Sequence, residues 1–216
     1  MDALFPRGLV GLIFDCDGVM IDSRDANCYF YNRILDLFGL PRMTPEQEVF
    51  AHMTASRQVL ERLLPPDCLA RLGEVVEHGV NYRRDIMPRI TLMPGFVDFA
   101  ADMHARGLRL AVSTNRTGEG MQDVLDHFSL SPIYDPVMTV SNAAPKPKPD
   151  AALTVCRTWG AEPAQVLMVG DSPSDREAAL AAGVRFCAFG ESDLAGDIKA
   201  RDFDALRAAL QSITQD

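Results

Sequence analysis

The sequence predicts an α/β fold, a Rossmann-like parallel sheet core carrying an inserted all-α block. Three observations predict it. Short apolar runs at 9–14, 108–112, 166–169 and 184–189 read as strands buried on both faces. From Pro94 onward amphipathic helical stretches alternate with them, the pattern of βαβ units. Between about Arg24 and Ile90 the strand pattern is missing, and apolar residues recur at helical spacing instead. The reading is a core built from 1–22 and 92–216, with a helical insert at 23–91.

Taken in order, the first strand stops at Asp15-Cys16-Asp17-Gly18. Paired acids repel and resist burial, so their place behind an apolar strand is informative. Open α/β sheets bind ligands at the carboxyl ends of their strands. Within the insert, Tyr29, Phe30, Ile34, Leu37 and Phe38 share one helix that Gly39 and Pro41 close. Thr44-Pro45-Glu46-Gln47 reads as an N-cap, a proline at the first helical position and a glutamine at the third. A helix carrying Val59, Leu60, Leu63 and Leu64 stops at Pro65-Pro66, and Asp67 starts another through Leu69, Leu72, Val75 and Val76.

Beyond the insert, Pro94-Gly95 opens a helix that Gly107 ends. The strand at 108–112 runs into Ser113-Thr114-Asn115-Arg116. A helix through Met121, Val124, Leu125 and Phe128 follows, then a short strand at 137–140. Pro145-Lys146-Pro147-Lys148-Pro149 forms a polar loop, and Asp150 caps a helix reaching Trp159. The strand at 166–169 ends in Gly170-Asp171-Ser172-Pro173-Ser174-Asp175. An alanine-rich helix then closes at Gly183, and a terminal helix spans 203–213.

At 216 residues the chain has room for one large domain, or a domain with a smaller partner. A formal net charge of −9 argues against duplex nucleic acid and against an anionic membrane surface as partners. The five cysteines are odd in number and scattered, with no C-x-x-C pair, so neither a zinc knuckle nor a disulfide framework is expected. Reduced thiols, no signal peptide and no apolar run of membrane-spanning length together predict a soluble, cytoplasmic protein.

Three strands thus end in the same kind of chemistry: Asp15 and Asp17, then Ser113-Thr114-Asn115, then Asp171 with Asp175. In a parallel sheet these ends share one edge, so the groups converge. Carboxylates without nearby His or Cys suit a hard cation with oxygen ligands, Mg²⁺ above all. A hydroxyl, an amide and a lysine suit phosphate oxygens. Together they describe a phosphoryl-transfer site with a carboxylate nucleophile.

On these residues the sequence resembles the haloacid dehalogenase superfamily, in its phosphatase branch with an inserted helical cap. Four family motifs appear in order: Asp15-Cys16-Asp17-Gly18-Val19, Thr114, Lys146 in Lys-Pro-Lys-Pro, and Gly170-Asp171-Ser172-Pro173-Ser174-Asp175. The resemblance implies that Asp15 attacks phosphorus and that Asp17 serves as acid, then base. It implies Mg²⁺ among Asp15, the Asp17 backbone carbonyl and Asp171, with Asp175 orienting the metal's surroundings and Lys146. Thr114 and the Asn115 backbone would hold a phosphoryl oxygen, and Lys146 would offset the nucleophile and the phosphate. Lys148 competes with Lys146, and Ser113 with Thr114; the family patterns favour Lys146 and Thr114. Ser172 is a neighbour of the site or a turn residue.

The implied function is Mg²⁺-dependent hydrolysis of a small phosphorylated metabolite, in the manner of a phosphoglycolate phosphatase. A sugar phosphomutase of the same branch uses the same motifs and is the alternative. A receiver-like signalling domain is more remote, because its acidic pair precedes the phosphorylated Asp and it lacks a cap. Substrate choice would fall to the cap near 50–57, where His52, Thr54, Ser56 and Arg57 are the polar candidates. His78, His104 and His127 read as surface or packing residues, the methionines as core filler, and Arg83-Arg84 as a solvated helix face.

Overall fold

The computed structural model describes residues 4–53, 56–130, 132–191 and 193–214. The chain divides into two compact units, Met1–Ile21 with Leu92–Asp216, and Asp22–Thr91.

In the first unit, β1 (Gly11–Phe14) is fully buried and lies in the middle of the sheet. The chain leaves through β2 (Ile21–Asp22) and returns through β3 (Thr91–Leu92). Helix α6 (Phe96–Ala105) leads to β4 (Arg109–Ser113), and α7 (Gly118–His127) to β5 (Tyr134–Met138). After α8 (Asp150–Trp159) come β6 (Val166–Gly170), α9 (Pro173–Ala182), β7 (Arg185–Phe189), β8 (Ile198–Ala200) and α10 (Phe203–Thr214). The sheet order is β5-β4-β1-β6-β7-β8, and every pairing is parallel.

Strand alternation gives each face its own core. Ile13 joins Ala111, Met168 and Phe186 against α8 and α9, where Val155, Cys156 and Ala179 are buried. Phe14 points the other way. Its ring meets Phe96 edge-on at 5.5 Å and Phe99 at 6.2 Å, and Phe203 of α10 completes the cluster 5.0 Å from Phe99. Burying both faces explains why the strands read as unbroken apolar runs rather than alternating ones.

Two differences from the sequence reading have local causes. β5 begins at Tyr134, three residues before the expected 137, and contains Pro136. A proline suits that position because β5 is an edge strand, where a missing N–H breaks no inner ladder. β8 escaped notice because three residues, Ile-Lys-Ala, are too few to show alternation, although the middle one is exposed between two buried neighbours.

The second unit is helical: α1 (Arg24–Leu37), α2 (Pro45–Met53), α3 (Ser56–Leu63), α4 (Pro66–Ala70) and α5 (Leu72–Gly79). A π turn at Tyr82–Ile86 and a 3₁₀ turn at Met87–Arg89 follow. The expected helix from Asp67 is two helices, divided at Arg71, whose N–H bonds back to the Cys68 carbonyl. The Thr44 cap forms as written in the sequence. Gln47 Oε1 accepts from the Thr44 N–H at 2.8 Å, and Thr44 Oγ1 from the Gln47 N–H at 3.4 Å. Tyr31, Ile34, Leu35, Met43, Ala51 and Val59 form this unit's core. No described helix is long and apolar enough to cross a membrane.

Candidate active site

The site assembles at the carboxyl ends of β1, β4 and β6, which the parallel register brings side by side. Asp15 follows β1 and is 7% exposed. Lys146, also 7% exposed, is its nearest charge: Nζ donates to Asp15 Oδ1 at 2.6 Å, to Asp175 Oδ1 at 2.5 Å and to the Ser113 carbonyl at 3.1 Å. A buried ammonium with three acceptors uses all three of its protons. Burial opposes its charge, but Asp15 and Asp175 outweigh burial and the net shift is upward. Lys148 lies two residues on and is exposed.

Asn115 holds the Lys146 backbone from both sides. Its Oδ1 accepts from the Lys146 N–H at 2.8 Å, and its Nδ2 donates to the Lys146 carbonyl at 3.2 Å. The sequence reading gave Asn115 a part in holding phosphate, by its amide or its backbone; in the structure the side chain is turned to the Lys146 backbone instead. Thr114 is 5% exposed, and its Oγ1 accepts from the Arg116 N–H at 3.1 Å.

Asp175 is fully buried on the first turn of α9. One of its oxygens faces Lys146; the other accepts from the Ser172 N–H at 3.1 Å and the Ser172 hydroxyl at 2.6 Å. Ser172 is therefore the N-cap that fixes Asp175, a clearer part than a turn residue. Gly170 makes room for this arrangement, since a Cβ there would lie 2.4 Å from the Asp175 Cβ.

One oxygen each of Asp15, Asp171 and Asp175 falls within a 4.8 Å group. Gly18, at φ +79°, lets Asp171 pack against the Asp17–Gly18 turn, where a Cβ would meet Asp171 Oδ2 at 1.9 Å. Burial, then the Asp175 charge, push the Asp171 carboxyl up to about 7. Burial and Asp175 also raise Asp15 well above the usual carboxylate range, against the pull of Lys146. Fully ionised, the four carboxylates here would exceed the two side-chain cations, Lys146 and Arg116, by two negative charges, the excess that the raised Asp15 and Asp171 resist. An all-oxygen donor set with that deficit fits a divalent hard cation.

Arg116 is the residue that sequence reasoning passed over. It follows Thr114-Asn115 at the end of β4, and its Nε and Nη2 donate to Asp17 Oδ2 and Oδ1 at 2.8 and 2.7 Å. A lone cation written into a strand end that faces an acidic pair was the available signal. Asp17 thus has its carboxylate in a two-point ion pair, apart from the Asp15–Lys146–Asp175 chain.

The candidates in the helical insert are not gathered in this way. Thr54 lies outside the described residues, as does the side chain of His52. Ser56 opens α3 and is exposed; Arg57 is 89% exposed at its side chain and pairs with Glu61 one turn on, at 2.8 Å.

The family model for haloacid dehalogenase-like hydrolases matches residues 12–189. A phosphoglycolate phosphatase of Rhodospirillum rubrum is 36% identical over 183 residues, 80% of this chain and 76% of that protein. One from Aliivibrio fischeri is 28% identical over 222 residues, 92% and 95% of the two chains. Among solved structures, a haloacid dehalogenase-superfamily hydrolase of subfamily IA from Geobacter sulfurreducens superposes with a TM-score of 0.79 at 34% identity. That match covers 95% of this chain and 96% of the other.

Proposed function

Because this chain belongs to the haloacid dehalogenase-like hydrolases, a phosphatase enzyme in kind, we propose that it hydrolyses a small organic phosphate monoester through a phosphorylated Asp15. The observation that carries this reading is the buried Asp15–Lys146–Asp175 chain at the shared strand edge. Lys146 occupies Asp15 Oδ1, so attack on phosphorus is assigned to Oδ2. The bond from phosphorus to the leaving oxygen breaks as the bond to Oδ2 forms, and Asp17 gives its proton to that oxygen. Asp17 then takes a proton from the water that attacks the phosphorylated Asp15, restoring the carboxylate and releasing inorganic phosphate.

The other residues hold this arrangement in place. Lys146 offsets charge on Asp15 and on the incoming phosphoryl oxygens, Asp175 and Asn115 fix Lys146, and the Thr114 hydroxyl faces the phosphoryl group. Asp15, the Asp17 carbonyl and Asp171 would hold Mg²⁺, with Asp175 behind them. When bound, it supplies the positive charge that lets a phosphate approach carboxylates. The helical unit Asp22–Thr91 is proposed as a lid that shields the reaction from water. The metabolite named for the curated relatives, phosphoglycolate, is the first substrate to try.

The test is phosphate release from a panel of phosphorylated metabolites, with Mg²⁺ and after chelation. Release that needs Mg²⁺ and no bisphosphate activator supports a phosphatase. Transfer that needs a sugar bisphosphate identifies a mutase, and full activity in chelated protein overturns the metal assignment.

A further inference from the structure

The Arg116–Asp17 pair has a chemical peculiarity. The guanidinium presents two parallel donors, Nε and Nη2, and grips both oxygens of a carboxylate at 2.8 and 2.7 Å. Asp17 is the group assigned to the leaving oxygen, yet here both of its oxygens are engaged by Arg116. Arg116 is anchored in its surroundings: its side chain is 15% exposed, and its backbone is tied on both sides. The Arg116 N–H donates to Thr114 Oγ1, and its carbonyl accepts from the Val140 N–H at 3.1 Å. What stands at the strand edge is therefore a preformed carboxylate receptor filled by a residue of this chain.

We propose that Arg116 is the specificity-determining residue of the site, and that it reads a carboxylate on the leaving group, the group that phosphoglycolate carries. The substrate's carboxylate takes the place of Asp17 in the guanidinium fork, and Asp17, released as a carboxylate and no longer held by the cation, takes up a proton from solvent before it serves the leaving oxygen. Apart from that proton no covalent bond changes in this step; one ion pair replaces another of the same geometry. Both Asp17 and Arg116 sit on the strand edge that carries Asp15, so a leaving group attached to phosphorus at Asp15 lies next to them. The fork favours a carboxylate over a hydroxyl because only the former accepts both donors with charge. The assignment rests on the phosphatase reading for its catalytic consequence, though not for the receptor itself.

Two matched pairs of compounds separate the two. The first pair is 2-phosphoglycolate and 2-hydroxyethyl phosphate, which differ in the carboxylate, compared by kcat/KM in wild type, Arg116→Gln and Arg116→Lys. In wild type the carboxylated substrate is preferred. In Arg116→Gln the preference collapses by roughly ten- to a hundredfold, chiefly through KM, as a charged hydrogen-bonded contact is lost. Arg116→Lys, which keeps the charge and loses the fork, restores part of it. A fold defect moves both substrates together and leaves the ratio where it was. The second pair, read by calorimetric binding to the magnesium-loaded protein, is 3-phosphonopropionate and propylphosphonate, neither of which can be hydrolysed. Tighter binding of the former that vanishes in Arg116→Gln supports the receptor even if no monoester is turned over, an outcome that would defeat the phosphatase reading alone. Equal binding of the two by wild type, or a ratio of kcat/KM that survives Arg116→Gln, overturns the assignment while leaving phosphate release intact.

Discussion

The sheet unit and the helical insert place their charged residues differently. In the former, Asp15, Lys146 and Asp175 are buried and mutually bonded, and each is held by backbone or a cap. In the insert, the arginines of the ion pairs Arg42–Asp36, Arg57–Glu61 and Arg84–Asp85 have strongly exposed side chains. Water solvates an exposed pair whether or not it forms, so such a pair adds little. A buried charge has only its neighbours, so removing one strands the rest. The sheet unit is therefore intolerant at this buried cluster, whereas exposed pairs, the insert's among them, are free to vary.

The contrast is sharpest at Asp15. Asp15→Asn removes the nucleophile and leaves Lys146 with a weaker partner, so turnover and labelling by a reactive phosphoryl donor should both vanish. Asp17→Asn should slow turnover by about 10²–10⁴ while Asp15 still accepts label. Label appearing in Asp15→Asn, or near-normal turnover in Asp17→Asn, would break the division of labour between the two acids.

Packing should follow the same contrast at smaller size. Phe14 is completely buried among Phe96 and Phe99, and Phe14→Ala should lower stability by about 3–5 kcal/mol in guanidinium unfolding. Leu72 lies on α5, which has no fully buried residue, and Leu72→Ala should lower it by on the order of 1 kcal/mol. Equal losses would mean that the insert is packed as tightly as the sheet.

Acidity offers a further handle. The Asp171 carboxyl, raised from 3.8 to about 7, binds a proton more tightly in the fold than in the unfolded chain. In metal-free protein its contribution is full below about pH 4 and is lost as pH rises through about 7. Chelated protein should therefore melt lower at pH 8 than at pH 6, and Mg²⁺ should raise the melting temperature more at pH 8. A pH-independent melting temperature without metal would contradict the crowding of these carboxylates. The smallest effect is expected at Arg57. Arg57→Ala should leave the melting temperature unmoved, and a selective fall in kcat/KM for the best substrate over p-nitrophenyl phosphate would mark it as a substrate contact.

The sheet was legible because burial on two faces leaves the inner strands almost wholly apolar, and the site because acids at strand ends have no structural excuse. Asp15, Thr114, Lys146, Asp171 and Asp175 converge as the shared edge requires. Side-chain partners were less legible. Nothing local to Asn115 announces a bracket on residue 146, 31 positions away, and Arg116 finds Asp17 across 99. Such pairings depend on strand order, which spacing along one chain does not encode. In the insert, amphipathic periodicity revealed helices yet could not divide α4 from α5, because a single residue with a non-helical dihedral leaves the apolar pattern intact.

The position of β1 bears on how this protein is made. It leaves the ribosome ahead of the other strands of its sheet, but it is a middle strand, and both of its neighbours are encoded after the insert. Asp15 waits 131 residues for Lys146. The first strand that can pair with β1 is β4, where Arg109 lies beside Gly11, so at about 5–20 residues per second the apolar segment has no sheet to join for on the order of ten seconds. The helical insert, whose contacts are local, can be complete well before the segment that precedes it has found a partner. A nascent chain halted ahead of β6 would present β1 unpaired on one edge, the kind of segment that chaperones hold and aggregates recruit.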